Sequence, residues 1–173
     1  MQKLLITIAY LLTGSISYAA NKKEILSPDG KIKLIVEGKE RLTYSVSYEN
    51  RVILLPSIID LALENGTAIS QSLNFKKTTF RANQSIIVSP VPEKRINIPD
   101  IYNELLIRLN TPFTVAFRVY NDGVAYRIQS HFKDSIIIKD ETAIFNFPVA
   151  HHVYYPEVVK RENADIYHTS FEE

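Results

Sequence analysis

Four histidines and 19 carboxylates are the groups in this chain best suited to proton transfer or metal binding, and their spacing decides how much chemistry they can share. His151 and His152 are adjacent. Neighbours on an extended strand point to opposite faces, so the two share one ion poorly, and an ordinary surface pair is the simpler reading. His131 and His168 stand alone, with no spacing argument attached to either. Hydrolysis by paired carboxylates needs two acids flanking one bond, but the acids here are scattered and nominate no pair. Glu104 lies in a strongly alternating segment and Asp122 in a turn; an outward strand position explains the first, and turn chemistry the second. Tyr154 and Tyr155 offer flat faces for stacking on a ring, although packing in a core or interface accounts for them more simply. With five glycines there is no glycine-rich phosphate loop, and neither the two-histidine zinc motif nor the serine-centred nucleophile elbow occurs.

Composition narrows the field further. Absence of cysteine excludes disulfides and thiolate metal sites, leaving stability to packing. The amino terminus reads as an export signal: Lys3 gives the positive start, Leu4 to Leu12 the apolar run, and Ser17-Tyr18-Ala19 a small-x-small cleavage site. Residues 1–19 are therefore expected to be removed. Thr13 and Gly14 break the run well short of the roughly 20 residues that span a bilayer, and no later segment is long and apolar enough. Without Lys3 the 20 basic residues fall to 19 and balance the 19 acids, which gives no overall electrostatic footprint for nucleic acid. About 150 residues remain, enough for one domain or one piece of a larger one.

The elements that must position these groups are strands. Short period-two runs are separated by turn residues almost throughout, and helical periodicity is scarce. Ser27-Pro28-Asp29-Gly30 is a turn, since proline presets φ and glycine accepts a positive one. After it, Ile32, Leu34 and Val36 share one face. In Leu42 to Tyr48, Leu42, Tyr44, Val46 and Tyr48 oppose Thr43, Ser45 and Ser47, and Glu49-Asn50-Arg51 reverses the chain into Val52 to Leu55. Pro56 is expected to end that run, with Ile58 to Leu63 a further strand stopped by Asn65-Gly66, although its apolar spacing also tolerates a helical turn. Phe75 to Phe80 and Ser85 to Val88 are weaker strands, and Pro90, Pro92 and Pro99 mark a loop. The clearest signal lies between Tyr102 and Ile128. There Leu105, Ile107 and Leu109, then Phe113, Val115, Phe117 and Val119, alternate, and Asn121-Asp122-Gly123 turns the chain into Val124, Tyr126 and Ile128. Ser135 to Lys139 and Thr142 to Phe147 supply two short strands around Asp140-Glu141. Beyond Pro148 the pattern decays into a charged stretch, Glu157 to Glu162, readable as loop or short helix. About nine or ten strands without useful helices predict an all-β, antiparallel β-sandwich.

Several segments, in order, resemble the N-terminal domain of glycoside hydrolase family 97. They are Ser27-Pro28-Asp29-Gly30; Leu42-Thr43-Tyr44-Ser45-Val46 with Tyr48; Tyr102-Asn103-Glu104-Leu105; and, most specific, the run from Phe117-Arg118-Val119-Tyr120-Asn121-Asp122-Gly123 to Arg127. Glu141 with Phe145 and Phe147, and Ser170-Phe171-Glu172, follow the same succession. The resemblance implies a galactose-mutarotase-like super-sandwich occupying residues 20–173, incomplete here. It further implies calcium-dependent α-glucosidases or α-galactosidases, exported to the periplasm or associated with the outer membrane. In these enzymes a catalytic (β/α)8 barrel and a small C-terminal β domain act on an α-linked oligosaccharide. The sandwich completes the sugar pocket and donates a glutamate to calcium, which by motif position is Glu172; the same residue is equally readable as an ordinary terminal acid beside Glu173. Since such enzymes run to several hundred residues, the chain is expected to be a truncated or split product, inactive alone, with an uncovered apolar face. The alternatives are a free-standing carbohydrate-binding β-sandwich module and, on fold analogy, a mutarotase-like epimerase.

Overall fold

A computed structural model describes residues 21–91, 96–150 and 152. The export signal, His151, Tyr154, Tyr155, His168, the stretch from Glu157 to Glu162 and Glu172 lie outside the described residues. Nine strands are present among those described: β1 (Asn21–Leu26), β2 (Ile32–Gly38), β3 (Leu42–Tyr48), β4 (Arg51–Leu63), β5 (Phe75–Val88), β6 (Asn97–Leu109), β7 (Phe113–Val119), β8 (Val124–Ser130) and β9 (Ile138–Ala143). A 3-10 turn, Ile69–Gln71, links β4 to β5, and Ile69 plugs the core there. All pairings are antiparallel, in two sheets ordered β1-β2-β3-β4-β9 and β5-β6-β7-β8.

Alternation explains how the sheets stack. Ile32, Leu34 and Val36 of β2 and Leu42, Tyr44 and Val46 of β3 are buried on one side of the first sheet. From the second sheet Leu105, Ile107, Leu109, Phe113, Val115, Phe117 and Val119 meet them, each no more than 1% exposed. Val124, Tyr126 and Ile128 complete the layer as half-buried partners. Tyr44, Phe117 and Tyr126 form an aromatic triad across the sandwich, with ring centroids 5.8 to 6.2 Å apart in tilted geometry. Rings so disposed add to their area burial.

Turn chemistry fixes the registers. Glu49 and Asn50 both adopt positive φ, 46° and 66°, joining Tyr48 to Arg51, the backbone that a two-residue hairpin of matching twist requires. In the β1–β2 turn Gly30 sits at φ 75°. Buried Ser27 accepts the Ile32 N–H at 2.9 Å and donates to Asp29 Oδ1. That turn meets the β7–β8 turn, because the Asp29 N–H donates to Asn121 Oδ1 at 3.0 Å. Asn103 Nδ2 likewise donates to Leu26 O at 2.9 Å. Two of the segments that carry the family resemblance are thus in contact across the two sheets.

Four sequence expectations are corrected. Pro56 does not end a strand: β4 runs through it, and a register irregularity between Tyr44 and Val46 places Leu55 and Pro56 opposite Ser45. A bulge of this kind tolerates a residue without an N–H. Phe75 to Phe80 and Ser85 to Val88 are one strand, β5. Pro99 is not in a loop but in β6, paired with Ile86; β7 pairs only from Asn103 onward, so the proline lies where one edge of β6 has no ladder to donate to. Asp140 and Glu141 are central in β9 rather than between two strands. Strand β1, not anticipated, forms the edge of the first sheet.

Where β5 and β6 extend past β7 they form a two-stranded ribbon with apolar side chains on both faces. Ile86 and Val88 are each 65% exposed and Ile87 50%, and Ile98 and Ile101 are also exposed. Contiguous apolar surface of this kind marks a contact site.

Candidate functional site

Leu105, Ile107 and Leu109 of β6 face the core, so Tyr102, Glu104, Leu106 and Arg108 must face away from it. Pairing then builds a grid on the outer face of the second sheet. Arg81, Glu104 and Arg118 form one cross-strand row, Thr79, Leu106, Ala116 and Arg127 the next, and Lys77, Arg108, Thr114 and Gln129 a third. Together with Tyr102 and Asn83 these residues, Ala116 excepted, line an open concavity of about 490 Å³.

One pair is locked. Arg118 Nε donates to Glu104 Oε1 at 2.9 Å, with the glutamate side chain only 7% exposed and the arginine 35%. The guanidinium also lies over the Tyr102 ring, 4.2 Å from its centroid, and Tyr102 packs on Tyr120 at 5.2 Å. The hydrogen bond that Arg118 donates to Glu104 outweighs its desolvation and, with a smaller one donated to the Tyr120 hydroxyl, holds Arg118 more firmly protonated than a free guanidinium. Glu104 therefore faces outward as the alternation requires, but it is a buried ion-pair partner and not a solvated strand acid. That correction was within reach of the sequence only through the cross-strand register between Glu104 and Arg118, which single-residue reading cannot supply.

The other sites read from sequence are dispersed. Asp122 is exposed in the β7–β8 turn. His131 Nε2 lies 2.7 Å from Thr114 Oγ1 at the end of the sheet, sharing a hydrogen bond whose direction follows the imidazole tautomer. His152 is exposed. Among the described residues no three His, Asp or Glu side chains come together as a metal group. Calcium takes six to eight oxygens, so the described residues do not fit a calcium site on their own.

The sequence profile of the glycosyl-hydrolase 97 N-terminal family matches residues 25–173. The chain belongs to the glycosyl-hydrolase 97 N-terminal family. Among relatives of this family 97 domain, a retaining alpha-galactosidase of Bacteroides thetaiotaomicron is 30% identical over 171 residues, covering 99% of this chain but 26% of the longer protein. The fold is shared with a family 97 enzyme of Pseudoalteromonas sp. strain K8 solved with acarbose, at a TM-score of 0.65 and 21% identity over 73% of this chain and 20% of that one. It is shared too with a beta-arabinopyranosidase, at a TM-score of 0.61 and 25% identity over 73% of this chain and 21% of that one. The family 97 domain described here thus spans about a quarter of its curated relative and a fifth of the solved enzymes.

Proposed function

We propose that this chain is the non-catalytic N-terminal part of an exported α-glycoside hydrolase. In this reading it completes the sugar pocket of a (β/α)8 barrel and lends Glu172 to a calcium ion held jointly with that barrel. The observation that carries the reading is the family match over residues 25–173, with relatives of which this chain covers only about a quarter or a fifth. Two features of the fold agree with it. The buried carboxylate Glu104 is occupied by Arg118. The apolar β5–β6 ribbon is a surface that a larger body can cover. Periplasmic or outer-membrane-associated placement, an α-linked oligosaccharide substrate and a small C-terminal β domain as further partner belong to the same proposal.

Calcium would supply a fixed positive charge binding the two modules, and a single carboxylate cannot hold it. The test is calorimetric titration of calcium into the chain mixed with a separately produced family 97 barrel. The mixture should bind calcium more tightly than either part, and Glu172→Gln should weaken that binding at least about tenfold. Equal affinity for wild type and Glu172→Gln would remove Glu172 from the site.

A further inference from the structure

We propose that the outer face of the β5–β8 sheet binds an oxyanion-bearing saccharide, one or two rings of a uronic or sulfated sugar, through Lys77, Arg108 and Arg127. The proposal uses neither Glu172 nor calcium, so its fate does not decide theirs. Lys77 and Arg108 are exposed and directly opposite on neighbouring strands of one face, an arrangement that costs stability when the charges are alike. Arg127 faces the same concavity from β8, opposite Ala116 in the next row. Among the described residues none of these three cations has a carboxylate within ion-pair distance, whereas Arg118 does.

The concavity is lined by five cationic side chains and one acid, Glu104, already bound by Arg118. Yet the whole chain carries a formal charge of only +1, so positive charge is gathered on this face. An oxyanion between Lys77 and Arg108 would convert their repulsion into two charge-assisted hydrogen bonds.

The size and lining choose among anions. About 490 Å³ suits a small ligand. A protein partner needs an apolar or aromatic centre to its interface, and here Leu106 is the one large aliphatic side chain in the lining. Single-stranded nucleic acid needs open aromatic platforms, and the Tyr102 ring is covered by Arg118. The hydroxyl of Thr79 and the amide of Gln129 line the concavity with the cations and are groups that can bond sugar hydroxyls, whereas the Thr114 hydroxyl is already shared with His131.

Calorimetry on the 173-residue chain tests this with four ligands: digalacturonate, maltotriose, sodium sulfate and a short DNA oligonucleotide. Digalacturonate should bind, more weakly as salt rises, with maltotriose and sulfate each at least about tenfold weaker. The double variant Lys77→Gln/Arg108→Gln should lose at least about tenfold in affinity while its thermal midpoint holds or rises, because the repulsion is gone; Arg127→Gln should also weaken binding. Undiminished binding by both variants would overturn the proposal, as would sulfate or DNA binding as tightly as digalacturonate.

Discussion

The Glu104–Arg118 pair allows its energetics to be worked out from the structure and tested by a double-mutant cycle. Replacing Arg118 with Met keeps much of the side-chain length but leaves a carboxylate whose side chain is 7% exposed without its partner at 2.9 Å. Breaking a fully buried pair costs about 3–5 kcal/mol. Arg118 is about one-third exposed, so water screens part of this, and roughly 2–3 kcal/mol is expected. Loss of the stack on Tyr102 adds about 0.5–1 kcal/mol. For a domain of this size the total corresponds to a fall in melting temperature of roughly 5–15 °C. Glu104→Leu should cost less, since it leaves an arginine that can reach solvent, and Glu104→Leu/Arg118→Met should recover much of the loss. The assay is urea unfolding followed by circular dichroism. A coupling energy above about 1 kcal/mol is expected; additivity within about 0.5 kcal/mol would refute the argument that the pair acts as a unit.

Three further outcomes follow from the packing and the electrostatics. Gly38→Ala should destabilise by about 1–3 kcal/mol in the same urea assay, because a Cβ there would lie 2.6 Å from the Leu73 carbonyl oxygen and 2.9 Å from Phe75 Cε1. Burial, with a lesser contribution from Tyr126, pushes the Tyr44 phenol up to about 12; its stabilisation is present below the unfolded value of about 10 and is lost as pH rises through the folded one. Tyr44→Phe should therefore flatten the alkaline limb of a stability–pH curve between those values. The Ser27 hydroxyl and then the Lys31 N–H hold the Asp29 carboxyl below its ordinary range, so its contribution is present above about pH 4 and disappears as pH falls through the lowered folded value. Asp29→Asn should make the acid limb shallower, and an unchanged limb would show that the turn hydrogen bonds do not persist in solution.

Legibility followed burial. The β6–β7–β8 meander was readable because one face of it is almost wholly enclosed, so period two is written clearly in Leu105 to Leu109 and Phe113 to Val119. Strand β9 is exposed along nearly all its length, which leaves no face for a pattern to mark, and β1 buries only Ile25 among its six residues. Prolines misled for a different reason. Pro56 sits at a bulge and Pro99 where β6 pairs on one side alone, and neither condition is visible until neighbours are assigned. The grid of cations on the second sheet was hidden in the same way: Lys77, Arg108 and Arg127 are far apart in sequence and share a face only through three registers. Overall neutrality excluded a chain-wide field, but it could not reveal charge gathered on one face. The calcium expectation at Glu172 rests on motif resemblance and lies beyond the described residues.

In the proposed function this sandwich serves a catalytic barrel and performs no turnover itself. Release of nitrophenol from a nitrophenyl α-galactoside or α-glucoside, followed with calcium present, tests it directly when run on the chain, on a family 97 barrel freed of its own N-terminal domain, and on the two mixed. No release by the chain is expected, and the mixture should turn over substrate well above the rate of the barrel. Hydrolysis by the purified chain, or a barrel indifferent to its addition, would contradict it.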